Sequence, residues 1–282
     1  MSEFDVSIAV IHRNLGRYLG NALWSVLAQE LGDLRAEILI LDDASDDALS
    51  RAVFAGLKAG FIQRSDIVFV DSSTRCGVAC TRNKALSVAR GNVLMFVDAD
   101  DCIGPNFVRL MYDRIAAFPQ AVWAAPQVYV RTFDRLTSGE HAHKADEIIK
   151  LKMEQAMELG SMSAYRVEMI RQIGGWSGGI DMVGFDEAGE LGARLWASGM
   201  KPVVVKMDVT DSYHYLQRAR SDGENRRSVR RLSLLWMLRN VGNNEFFPLE
   251  RLKLDLEVPP LEPFLDLAKS VLQEPQQEHV FA

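Results

Sequence analysis

The 282-residue chain holds no apolar run near the ~18 residues that a membrane-spanning helix needs. Its first residues, MSEFDVSIAV, carry two acids and no basic start, which does not fit a secretory signal. There is no excess of basic charge. Lys and Arg number 32 against 38 Asp and Glu, a net charge of −6, which argues against broad nucleic-acid binding. Cysteine is scarce: Cys76 and Cys80 stand four apart, and Cys102 has no neighbouring histidine. These are read as small buried hydrophobes of a reducing cytosol rather than a metal cluster or a disulfide framework. The turn after the first apolar run, IHRNLGRYLG, lacks Gly-x-Gly-x-x-Gly, and no P-loop is present, so dinucleotide and Walker-type sites are not expected. Internal repeats and low-complexity tracts are also absent.

What is present is an alternation. Short β-branched runs at Val6–Ile11, Glu37–Leu41, Ile67–Val70 and Val93–Val97 are separated by stretches of helical spacing at Tyr18–Gln29, Asp47–Gly60, Val78–Arg90 and Pro105–Phe118. Strand and helix in this rhythm predict an α/β fold wound around a mostly parallel central sheet, with helices on both faces. The strands lack polar–apolar alternation, as expected when both faces are covered. From Ala121 the rhythm changes. Val122–Val130 reads as one longer strand, Thr132–Asp146 as a mobile polar loop, and a helix then runs to Leu159. A helix over Asp186–Ala197 and a strand over Pro202–Met207 follow. Residues 1–220 read as the catalytic domain and residues 221–282 as a helical C-terminal extension.

In an open α/β sheet, ligands bind beyond the carboxyl ends of the strands. There the sequence places His12, Arg13 and Asn14, then Asp42 and Asp43 in LDDASDD, then Asp98, Asp100 and Asp101 in FVDADD. Helix capping by Ser45 or Asp46, and by Gly104 before Pro105, leaves these five carboxylates unexplained. Asp98 and Asp100, two apart on an extended chain, point the same way. Carboxylates held together repel unless a cation or a shared proton relieves them, and a hard divalent ion with phosphate oxygens does so economically.

The ordered set VSIAVIHRN, LILDDASDD, CGVACTRNKALSVARGNVLMFVDADD, GGW and ELGARLWASG resembles the family 2 glycosyltransferases over roughly residues 5–220. The resemblance implies the GT-A fold, a Rossmann-like α/β/α sandwich. It further implies inverting transfer of a sugar from a nucleotide-diphosphate donor, by default a UDP-sugar, onto an acceptor hydroxyl in polysaccharide or glycoconjugate synthesis. It assigns Asp43 to the nucleotide base, Arg82 to holding the nucleotide, and Asp98 to the neighbourhood of the ribose. Asp100 would bind Mn2+ or Mg2+ through the donor diphosphate, with His214 completing the metal site. Ile11 and Arg13 stand where the family has Pro and Tyr lining the base pocket; Arg13 offers a guanidinium plane for stacking instead. The family's Glu-Asp pair falls on Glu187 and Ala188, so the usual base is missing. A shift of one residue gives Asp186 and Glu187 as candidate bases, with Glu190 an outside candidate. The plainer reading of these acids is the first turn of a helix, where the dipole favours them.

Trp176 is a candidate to stack on an acceptor sugar, with packing beside Gly174-Gly175 as the alternative. Gly175 to Gly179 also spells Gly-x-Ser-x-Gly, but a helix over Val167–Ile173 leads into it where a hydrolase needs a strand. His141 and His143 read as solvent-exposed. Two rivals remain: a sugar-phosphate nucleotidyltransferase, and a nucleotide-sugar-binding protein that has lost its base at Ala188. Six arginines between Arg218 and Arg231 precede LSLLWMLRNVG. Residues 218–240 read first as a helix packed on the catalytic domain, and second as a peripheral contact with an anionic membrane. The expected partners are a nucleotide-sugar donor and a saccharide or lipid-linked acceptor, without nucleic acid. The expected location is the cytoplasm, including the inner face of the membrane.

Overall fold

A computed structural model describes residues 3–133, 146–150, 162–178, 187–200 and 202–217. By its contacts the chain divides after Ser221, and the first unit is the one described here. Several expectations lie outside the described residues: His141 and His143, the helix to Leu159, Asp186, and everything from Arg218 on, including the basic helix and the membrane contact. Among the described residues no helix is long and apolar enough to cross a membrane.

The first half follows the expected alternation: β1 (Phe4–His12), α1 (Gly16–Leu27), β2 (Ala36–Asp42), α2 (Ala48–Gly60), β3 (Ile67–Asp71), α3 (Gly77–Val88) and β4 (Gly91–Asp98). Next come β5 (Cys102–Ile103), α4 (Phe107–Ala117), β6 (Trp123–Pro126), β7 (Val128–Phe133) and β8 (Glu147–Lys150). The last elements are β9 (Ala164–Arg166), α5 (Val167–Gln172), α6 (Glu187–Ala197), β10 (Val203–Val205) and β11 (Tyr213–Gln217). One sheet has seven strands in the order β10-β6-β9-β4-β1-β2-β3, and a second has four in the order β5-β11-β7-β8. In the larger sheet β1, β2, β3 and β4 run parallel, as do β6 and β10, while β9 runs antiparallel to β4 and β6.

The parallel strands are apolar because helices cover both of their faces. Val6, Ile8 and Val10 of β1 lie in one core with Leu19, Leu23 and Val26 of α1 and Met111 and Ile115 of α4, all buried. The register aligns Ile11 with both Leu41 and Asp98, so β1, β2 and β4 end side by side. Every loop carrying an expected site residue from the first half therefore leaves the same edge.

Three boundaries differ from expectation. The single strand expected over Val122–Val130 is two strands in two sheets. Pro126, which has no N–H to continue a ladder, ends β6, and Gln127 turns to donate its N–H to Val205 O at 2.8 Å. Helix α2 is capped by Asp47, whose side chain accepts from Ser50 N, rather than by Ser45 or Asp46. Those two side chains are drawn instead to Asp42 and to Arg13 and Asn14. Helix α4 begins at Phe107 after Asn106, not at Pro105. Gly104 and Pro105 are held by other segments: Gly104 N–H donates to Ser212 O at 2.9 Å, and Pro105 O accepts from Glu30 N at 2.8 Å.

At the opposite edge sits a buried carboxylate. Glu37 accepts from Ser7 Oγ at 2.6 Å, Arg90 N at 2.6 Å and Arg90 Nε at 2.7 Å. Ser7 Oγ in turn accepts from Gly91 N at 2.9 Å, so one acid ties together the beginnings of β1, β2 and β4. Replacing Glu37 with Ala removes three hydrogen bonds and leaves buried donors unmet. We expect a loss of about 2–4 kcal/mol, read as a lower urea midpoint with an unchanged slope.

Candidate active site

The loops at the carboxyl edge are stitched to one another before any ligand is considered. Arg13 donates Nη2 to Asp46 Oδ2 at 2.8 Å and Nη1 to the carbonyls of Asp43 and Ala44. Asn14, in the left-handed region at φ 54°, donates Nδ2 to Asp46 Oδ1 at 2.7 Å and accepts from Asp46 N at 3.0 Å. The Arg13 guanidinium, expected to be available for stacking on a base, is thus oriented by the second loop. Ile11 is buried, and its carbonyl accepts from Ala99 N at 3.1 Å, which fixes the third loop against the first.

The two aspartates of LDDASDD do different work. Asp42 folds its own turn, accepting from Ser45 N at 3.1 Å and Ser45 Oγ at 2.6 Å. Asp43 reaches across to α3. Its Oδ1 accepts from Cys76 N at 2.7 Å and its Oδ2 from Gly77 N at 3.0 Å. The carboxylate thus occupies the amino end of α3, where free N–H groups and the helix dipole favour an anion. The cysteines in this turn depart from expectation. They are half-buried rather than buried, and Cys76 and Cys80 are joined in a disulfide, while Cys102 is free. The physical reason is the spacing: Cys76 precedes α3 and Cys80 lies one turn on, with Cα atoms 5.6 Å apart.

The loop after β4 gathers Asp98, Asp100 and Asp101. Asp101 is buried, its Oδ2 accepting from Tyr213 OH at 2.9 Å and its Oδ1 from Leu216 N at 2.8 Å. Burial first, and then the charges of Asp98 and Asp100, push its pKa well above the usual carboxylate range. The crowding expected from the sequence is therefore present, with Asp101 as the member tied to β11. The same Tyr213 hydroxyl also accepts from Asp98 N–H, at 3.2 Å. Sequence spacing gave no sign of this tie, because 112 residues separate Tyr213 from Asp101.

His214 follows Tyr213 on β11, so its side chain leaves the strand on the other face. Burial lowers its pKa, and the opposing charge is that of Asp146. Tyr213 is the β11 side chain hydrogen-bonded to the aspartate loop. Among the described residues no three His, Cys, Asp or Glu side chains are placed to hold a metal ion. The residues at the β4 loop still fit a hard divalent cation in kind, since Asp98 and Asp100 supply oxygen donors and negative charge. They leave most of its coordination to be filled from elsewhere.

Helix α3 also carries Arg82, whose Nη1 donates to Glu187 Oε1 at 2.7 Å and whose guanidinium lies 5.4 Å over the Phe96 ring. Asn83 brackets the Gly174-Gly175-Trp176 turn, donating to Trp176 O at 2.7 Å and accepting from Trp176 N at 2.9 Å. Trp176 itself is only 2% exposed, edge-on to Phe96 at 5.2 Å and Tyr165 at 5.3 Å. That packing, and not stacking on a sugar, is what its ring does here. Glu190, also named as a candidate base, is buried and paired with Arg194, which in turn donates to Ile173 O and Gly175 O. Helix α5 leads into the glycine turn, which excludes the strand that a hydrolase elbow requires.

A family model described as Glycosyl transferase family 2 matches residues 7–174. The chain is 28% identical over 115 residues to glycosyltransferase GlyG of Streptococcus pneumoniae serotype 4, covering 41% of this chain and 36% of that protein. It thus spans little more than a third of that relative's length. Among solved structures, S. aureus TarS 1-349 in complex with UDP-GlcNAc superposes with a TM-score of 0.60 at 16% identity, over 83% of this chain and 66% of that one. Mannosyltransferase PcManGT from Pyrobaculum calidifontis, in complex with GDP-Man and Mn2+, gives 0.58 at 16% identity, over 97% and 71%. At these identities the likeness establishes the fold, which is the GT-A type.

His12 lies beneath this edge. Neither ring nitrogen has a hydrogen-bond partner among the described residues; Nε2 is 3.6 Å from Asp42 Oδ1, and the ring packs 5.3 Å from Phe54. Burial lowers its pKa below the ordinary 6.5, against the opposing charges of Asp42 and Asp47. The folded chain therefore refuses a proton that the unfolded chain accepts, and stability falls as pH drops below 6.5 toward the lowered value. Urea midpoints at acidic and neutral pH should converge in His12→Gln, reducing the acid loss by up to ~1.4 kcal/mol per pH unit. An unchanged acid loss would contradict this placement of the imidazole.

Proposed function

Because the chain belongs to glycosyl transferase family 2, we propose that it moves a sugar from a nucleoside-diphosphate sugar onto an acceptor hydroxyl with inversion at the anomeric carbon. The observation that carries this reading is the shared edge of β1, β2 and β4, from which Arg13, Asp43, Asp98 and Asp100 all emerge. TarS, solved with UDP-GlcNAc, and PcManGT, solved with GDP-Man and Mn2+, support a nucleotide-sugar donor. A UDP-sugar is the donor proposed here, and polysaccharide or glycoconjugate synthesis the setting.

The nucleotide lies between the first two loops, bounded by Ile11, Arg13 and Asp43, with Arg82 behind it and Asp98 toward the ribose. Asp43 already fills the amino end of α3, so that end is not open to the donor's phosphates. Asp100, beside Asp98, would hold a divalent cation, Mn2+ or Mg2+, which would supply the positive charge that the departing diphosphate needs. His214, on β11, is the further candidate ligand in this reading. The acceptor hydroxyl gives its proton to Asp186 or to Glu187, the first residue of α6, as its oxygen attacks the anomeric carbon and the diphosphate leaves. Closeness of donor and acceptor supplies much of the remaining rate.

The nucleotidyltransferase reading differs in product, since it would release diphosphate from a triphosphate. Asp100→Ala should lose transfer by on the order of a hundredfold or more, together with any metal dependence of nucleotide binding. Release of nucleoside diphosphate from a panel of UDP- and GDP-sugars measures the first, and calorimetry with and without manganese the second. Full activity in the variant would remove Asp100 from the metal.

A further inference from the structure

Arg82 and Glu187 stand 105 positions apart and meet at 2.7 Å, with side chains 3% and 16% exposed. Among the described residues few ion pairs are so remote in sequence and so withdrawn from water. Around them, α3 and α6 hold the same glycine turn from two sides. Asn83 of α3 brackets Trp176, while Arg194 of α6 donates to Ile173 O and Gly175 O. Gly175, at φ 70°, leaves no room for a side chain against Asn83. The ion pair is thus one link of a network that joins the start of α6 to the middle of α3.

The direction of the Arg82–Glu187 bond bears on what Glu187 can do. Its Oε1 lone pair is aimed at a guanidinium, and the side chain sits in the first turn of α6, where a negative charge is favoured. To take a proton from an acceptor, that oxygen would have to give up its bond to a buried cation. Arg82, in contrast, gains from the pairing. A guanidinium presents a planar fork of donors, and fixing one of its nitrogens fixes the plane of the rest. Phe96, beneath the same guanidinium, holds that plane from below.

We propose that Glu187 is a positioning residue that sets the Arg82 guanidinium for the donor nucleotide, and that the proton acceptor is a different carboxylate. This rests on the reading of Arg82 as a nucleotide-holding residue. Among the candidates named above, Asp186 then remains for the proton.

The test uses the full chain and four variants, Glu187→Gln, Glu187→Asp, Arg82→Lys and Asp186→Asn, each first checked for a cooperative thermal transition. Binding of UDP and GDP with manganese is measured by calorimetry, and turnover as nucleoside diphosphate released from UDP- and GDP-sugars. Loss of the charge in Glu187→Gln should weaken nucleotide binding about tenfold, with donor KM rising more than kcat falls. Glu187→Asp should recover part of the affinity, and the pH–rate profile of Glu187→Gln should keep its acidic limb, where the base takes up a proton, which Asp186→Asn loses. If Glu187→Gln loses kcat by ~10²–10⁴ at unchanged nucleotide affinity, Glu187 is the base and the proposal is wrong. If wild type binds nucleotide and Arg82→Lys binds equally well, the proposal fails while the donor site stands. If wild type binds neither nucleotide, the reading beneath it fails as well.

Discussion

The site depends on one carboxylate accepting two backbone N–H groups. Asp43, at the end of β2, takes the amides of Cys76 and Gly77 and so pins the start of α3 to the carboxyl edge of the sheet. From that point the geometry of the helix decides the rest. Arg82 and Asn83 lie between one and two turns further on, placed to meet Glu187 and Trp176. Without the pin, the amino end of α3 would stand open as an anion site. With it, the helix is a fixed arm, and the donor's phosphates have to be met by something else. This is the physical reason for assigning that task to a cation at Asp100.

The second constraint is electrostatic. Three aspartates within four residues make a loop that cannot be neutral by itself, and the fold deals with each differently. Asp101 is withdrawn and hydrogen-bonded to Tyr213 and Leu216, its pKa raised by burial and by its two neighbours. Asp98 and Asp100 remain at the edge. Anchoring one acid in β11 thus holds the other two at the ends of the central strands.

The fold was largely legible because parallel strands buried on both faces must be apolar, and four such runs at the right spacing leave few alternatives. The carboxylates at the edge were legible for the same reason: a polar cluster that ends an apolar strand stands out. The misreadings came from contacts between distant segments. Pro126 divides an apolar run that looked continuous. Trp176, read as either a platform for an acceptor sugar or a packing residue, is held in the core by Phe96, Tyr165 and Asn83. Tyr213 was not singled out at all, because only the fold brings it to Asp101. The pairing of Glu190 with Arg194 was open to a reader of i,i+4 spacing, and it removes Glu190 from the candidate bases.

The central claim is that this edge receives a nucleoside diphosphate together with a divalent metal. Thermal unfolding of the wild-type chain with UDP, GDP, TDP and CDP, each with and without manganese, tests it most directly. A rise in the transition temperature for one nucleotide that appears only with manganese is the predicted result. No shift with any nucleotide, under either condition, would mean that the carboxylates do not form a working donor site, and would contradict the account.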